Sequence, residues 1–140
     1  MANTVLVKGH SIRKERVAAT VITPGMLVEV LAADTLGAHS TAGGAAQKAI
    51  AVEYEVIGRG TDTNYAIGDR VLYEVLTAGA EFYGHVAAGA AAIAHGAAVQ
   101  SDGAGGFVTR TGTNAVVGFA LQAVDNSGGG TATTVLIEAV

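Results

Sequence analysis

Apolar and polar positions alternate with a period of two along much of this chain, the pattern of strands half-buried in a sheet. Residues 70–76, Arg-Val-Leu-Tyr-Glu-Val-Leu, are the clearest case. They place Val71, Tyr73 and Val75 on one face and Leu72, Glu74 and Leu76 on the other. Similar runs predict strands at 3–8, 16–22, 26–31, 50–57, 81–87, 97–100, 106–110, 115–124 and 132–139. Turn residues separate them: Pro24-Gly25, Gly43-Gly44, Gly58-Arg59-Gly60, Gly68-Asp69, Asp102-Gly103 and the Ser127 to Gly130 run. Helical signals are weak. Ala45 to Val52 and Ala87 to His95 have some propensity, but Gly89 and Gly96 punctuate the second. Many short strands joined by glycine-rich turns predict an all-β domain, a compact barrel or sandwich.

One unit recurs. Ile22-Thr-Pro-Gly25-Met-Leu-Val28 and Ile93-Ala-His-Gly96-Ala-Ala-Val99 share the spacing I-x-x-G-x-x-V, and Ile67-Gly68-Asp69-Arg70-Val71 is a shorter cousin. Each predicts a tight turn centred on glycine that feeds a strand. The pattern speaks for local structure and not for function.

Composition refines this picture. The chain has 140 residues, a one-domain length, with 28 Ala and 20 Gly, so much of its 50% apolar fraction is methyl groups. Val, Ile, Leu and Phe still number 36, too many for a disordered chain. The absence of cysteine excludes disulfides, thiolate metal sites and a cysteine nucleophile. The most apolar stretch, Val86 to Val99, is broken by glycine and histidine and is too short for a membrane span. The opening does not fit a signal peptide, because its basic cluster follows the apolar run.

The net charge of -4 is unevenly spread. Lys8, Arg13, Lys14 and Arg16 face Glu15 alone in the first 16 residues, a local balance of +3, and the remaining chain carries -7. A body of that sign repels nucleic acid, and no basic stripe interleaved with aromatics offsets it. Val5, Val7, Ile12 and Val17 lie among the cations, which favours docking on an acidic partner or neighbour over a free polybasic tail. The expected organisation is an extended N-terminal arm over residues 1–20 and a single β domain over 21–140. Val5, Val7, Lys8, Ile12, Arg13, Lys14, Arg16 and Val17 are the candidate partner- or neighbour-binding residues of that arm.

No enzyme chemistry stands out. His10, His39, His85 and His95 form no ligand-spaced pair, and no serine sits in a G-x-S-x-G elbow. The Ser127 to Gly130 loop lacks the Lys-Ser/Thr of a phosphate loop. Glu53 and Glu55 share a predicted strand face, yet a glycosidase cleft needs aromatic platforms, and the chain has no Trp, three Phe and four Tyr. Asp62, Asn64 and Asp69 fall outside the calcium-loop pattern. Neither a catalytic residue nor a cofactor or metal is expected.

The strings themselves carry more. Met1-Ala-Asn-Thr-Val-Leu-Val-Lys-Gly9, Ile12-Arg-Lys-Glu15 and Ile22-Thr-Pro-Gly25 resemble the opening of the capsid decoration (cement, head-stabilising) proteins of tailed bacteriophages. Thr41 to Gly44, Ala51-Val-Glu53, Gly58-Arg-Gly60, Tyr65 to Asp69, Val117 to Ala120, Ala123 to Gly128 and the closing Val135 to Val140 continue the likeness in order. The alanine-rich 87–98 stretch departs from it. The resemblance implies a β-barrel or β-tulip-like domain with an N-terminal arm, assembled as a homotrimer on the major capsid protein. It places the protein on the outer surface of the virion after synthesis in the bacterial host cytoplasm. It implies no cofactor and no direct contact with nucleic acid or membrane. A carbohydrate- or host-surface-binding β module of a tail or fibre is the alternative, and an enzyme with a site shared between subunits comes third.

Overall fold

The computed structural model describes residues 4–58 and 60–140. Met1 to Asn3 and Arg59, which belong to the opening string and to one predicted turn, lie outside the described residues. Among the described residues eleven strands make up the fold: β1 Leu6–Lys8, β2 Ser11–Ala18, β3 Val28–Ala32, β4 Thr35–Ala38, β5 Ala49–Ala51, β6 Arg70–Leu76, β7 Glu81–Val86, β8 Ala98–Ser101, β9 Phe107–Thr109, β10 Gly118–Ala120 and β11 Thr133–Ala139. They form a six-stranded sheet ordered β1-β7-β11-β10-β8-β9 and a five-stranded sheet ordered β3-β4-β2-β6-β5. The sheets pack as a sandwich, and neither closes into a continuous barrel. All-β is the fold class, and neither alanine-rich helix candidate forms a helix.

Both sheets curl. Leu27, just before β3, bridges Ile50 in β5, so the two ends of the five-stranded sheet meet at a single pair. Its inner face then wraps Val28, Leu36, Ala49, Ala51, Val71 and Tyr73 around Ile22 and Tyr65, all at most 1% exposed. Its outer face turns Leu72, Leu76 and Ile50 onto Phe82, Val86, Val135 and Ile137 of the six-stranded sheet. β6 is therefore buried on both faces, each holding the alternate residues that the sequence pattern assigns to it. In the six-stranded sheet Phe107 of β9 reaches back to Phe82 of β7, with ring centroids 5.6 Å apart and an interplanar angle of 58°. Gly84 makes that approach possible, since a Cβ there meets the Phe107 ring at 2.7 Å and Ile137 Cδ1 at 2.6 Å.

The recurring unit is a real piece of architecture. Ile22, Tyr65 and Ile93 each form an isolated bridge, followed three residues later by a glycine at positive φ and then a strand. Two of the units clasp each other through the Ile22–Tyr65 bridge, with Ile22 N–H donating to Tyr65 O at 3.1 Å and Tyr65 N–H to Ile22 O at 2.8 Å.

Three expectations need correction. The predicted strand 50–57 ends at Ala51, and Glu55–Ile57 form a 3-10 turn, so Glu53 and Glu55 do not share a strand face. β4 was not expected, and the long strand predicted at 115–124 shrinks to Gly118–Ala120. The division into an arm over 1–20 and a body over 21–140 is not the arrangement found for residues 5–18. β1 pairs with β7, and β2 runs in full antiparallel register with β6 from Ser11–Leu76 to Val17–Arg70. These residues are part of the sandwich because Val5, 2% exposed, fills the core between the sheets.

Candidate functional site

The eight residues of the expected binding segment divide among three environments. Val5 is core, and its N–H donates to Glu53 Oε2 at 3.0 Å. Val7 and Lys8 are exposed at one edge of the six-stranded sheet, apart from the other cations. Ile12, Arg13 and Lys14 are exposed on β2, and Arg16 and Val17 are half-buried there.

On β2 the alternation sets which way each cation faces. Arg13 stands opposite Glu74 of β6, and their side chains pair at 3.5 Å. Ser11 Oγ donates to the same Glu74 Oε1 at 2.8 Å, so this buried carboxylate has a hydroxyl and a guanidinium on it. Glu15 accepts the Tyr54 hydroxyl, an interaction that raises the Tyr54 pKa because losing that proton would leave two anions in contact. Lys14 and Arg16 lie opposite Tyr73 and Val71, on the other face. Arg16 Nη1 donates to Ala33 O at 2.8 Å in the β3–β4 turn, while its buried Nε has no acceptor.

A groove of about 400 Å³ opens on the Arg13 face, lined by Arg13, Glu15, Glu53, Tyr54, Val56 and Leu72. Val56 on its rim is 92% exposed. A smaller cavity of about 130 Å³ lies beside β7 and is walled by Val5, Pro24, Tyr83, His85 and several threonines. Burial pushes the His85 imidazole below the usual histidine range, against a smaller opposite pull from Asp102. The unfolded chain thus takes up that proton more readily than the folded one. The resulting stability is complete above the unfolded pKa of about 6.5 and is lost as pH falls through it toward the depressed native value. The thermal midpoint should accordingly drop between about pH 7.5 and pH 5. His85→Gln should flatten that part of the profile, and an unchanged slope would show that another group controls it.

Reactive pairings are poor. His39 Nδ1 lies 2.7 Å from Ser101 Oγ, a contact that the sequence spacing hides. Ser101 is 0% exposed, however, and its oxygen also accepts Gly103 N–H at 3.1 Å, so the pair pegs two loops together and no substrate reaches it. Among the described residues no group of three His, Cys, Asp or Glu side chains could hold a metal ion. No helix among them is long and apolar enough to cross a membrane. What the surface can do is bind, through three cations, an exposed Ile12 and a groove with an acidic and an apolar rim.

The fold defined by these two curled sheets is shared with a phage structural protein. The N base of head fiber gp8.5 in bacteriophage phi29 superposes on 94% of this chain and 95% of its own, with a TM-score of 0.61 at 13% sequence identity. No protein-family model matches the sequence, and no curated protein does.

Proposed function

We propose that this chain is a structural protein of a tailed-phage head, a decoration protein that binds the outer surface of the shell. The single observation that carries the reading is the end-to-end fold likeness to a phage head fiber base. The ordered strings that resemble decoration proteins point the same way. In this reading the major capsid protein is the partner, and Ile12, Arg13, Lys14 and Arg16 make the contact. The protein acts as a homotrimer, for which the exposed Val30 and Leu31 on edge strand β3 offer apolar surface to bury between copies. Several weak contacts then add up through shared attachment. It works as a binding and stiffening element without catalysis, cofactor or nucleic acid. A second reading, the base of a projecting fibre, is favoured because the same structural neighbour is the base of a head fiber.

Electron microscopy of expanded heads mixed with purified protein tests this. Density over the shell, with a trimer mass in light scattering, is the expected result. Replacing Arg13, Lys14 and Arg16 with glutamine should lower occupancy about tenfold at low salt and less at high salt, where screening already weakens the attraction. Bare shells beside a folded wild-type protein, or a monomer in solution and on heads, would reject the reading. Long projections anchored by this domain would select the fibre base.

A further inference from the structure

We propose that the outer edge of β2 from Ser11 to Arg16 is a strand-accepting site for an extended, acidic segment of a partner protein. The backbone pattern leads to it. Leu76 N–H donates to Lys48 O and Leu72 O accepts Val52 N–H, so these β6 residues bond toward β5. Val71, Tyr73 and Val75 therefore bond toward β2, where they stand opposite Arg16, Lys14 and Ile12. Ser11, Arg13, Glu15 and Val17 aim their N–H and C=O groups the other way. Val17 N–H donates to Asp34 O at 2.8 Å, and β4 covers β2 only at Val17 and Ala18. Among the described residues no strand lies beside Ser11 to Arg16 on that side. The lane is empty for the length of a short strand and ends at the Ala33–Asp34 turn.

The side chains state what fits. Arg13 faces one way from this edge and Lys14 and Arg16 the other, against Glu15, which already holds Tyr54. Arg16 keeps one buried donor with no acceptor. Ile12 is 62% exposed. An incoming strand with carboxylates on the Lys14 and Arg16 face and apolar side chains on the face where Glu15 holds Tyr54 pairs with those two cations, and its main chain pairs with the open row. A second copy fits poorly, because two such edges side by side oppose like charges. A polynucleotide neutralises the cations but leaves the open N–H and C=O row unmatched.

The inference rests on the proposed head role only for where such a segment comes from, so the two fail separately. The probe is a short peptide alternating valine and glutamate, added at millimolar concentration to the wild-type protein, with amide exchange followed by nuclear magnetic resonance. The Arg13 and Glu15 amides should exchange about tenfold more slowly with the peptide bound, and a lysine-for-glutamate peptide should bind about tenfold more weakly. Arg13→Pro removes an outward N–H without touching the β6 ladder, so it should stay folded and lose the peptide. Glu15→Pro serves the same purpose should the first variant misfold. Absence of protection at Arg13 and Glu15 overturns the site, as does a folded proline variant that binds normally. Equal protection by the lysine peptide, by an oligodeoxynucleotide, or by raising the protein concentration alone overturns the acidic partner. On heads, wild-type occupancy by Arg13→Pro sinks the strand site and leaves the decoration role standing. Peptide protection beside bare heads does the reverse.

Discussion

A chain lacking residues 1–14 is expected to lose its cooperative unfolding transition. The truncation removes Val5 from between the sheets, worth about 1.5–3 kcal/mol by burial alone. It also removes β1 from β7 and the Ser11 to Lys14 part of the β2–β6 ladder. Val75 and Leu76 lose their ladder partners Ile12 and Ser11, and Glu74 loses both Ser11 and Arg13. An unpaired buried charge adds roughly 3–5 kcal/mol. Against a typical reserve of 5–15 kcal/mol, these losses leave little. Circular dichroism and thermal scanning of the truncated protein check the result. A sharp transition near the wild-type midpoint would mean that the segment is dispensable for folding after all.

Phe107→Ala is the second large effect. Phe107 is 0% exposed although its strand is at the edge of the six-stranded sheet, because the sheet curls its ring onto Phe82 and over Gly84. Truncating it opens a cavity at the point where the curl closes, at an expected cost of about 3–5 kcal/mol. Phe107→Leu retains most of the volume and should cost less. Urea unfolding midpoints at constant slope measure both. A loss near zero would show that the curl of β9 over β7 does not depend on that contact.

Much of the fold was legible because its signals are local. β6 was found with its observed bounds, since an unbroken apolar alternation runs between Gly68-Asp69 and Gly79. The short β4, Thr-Leu-Gly-Ala, carries no such alternation and exists because the β3 hairpin folds back on it. Residues 52–57 look like strand by composition, but Glu53 turns aside to hold the Val5 N–H and Val56 finds no sheet partner. The binding segment illustrates the harder limit. A basic string with interleaved valines has the same local pattern whether it projects or pairs, and the residues that decide, Arg70 to Leu76, lie about sixty positions away. Its cations were visible in the sequence. The open row of β2 and the unmatched Arg16 Nε were not, because they depend on where β4 stops.

The strand order also dictates when the protein can fold. β1 and β2 leave the ribosome ahead of the other strands, yet their partners β7 and β6 are made only after another fifty or more residues. β11, which lies inside the six-stranded sheet between β7 and β10, is the last of the described strands to be made. Until residue 139 is synthesised, β7 and β10 each show an unmatched edge, and the core between the sheets lacks Val135 and Ile137. Folding is thereby deferred until β11 has been made, and a nascent chain stalled before residue 133 is a sticky pair of half-sheets.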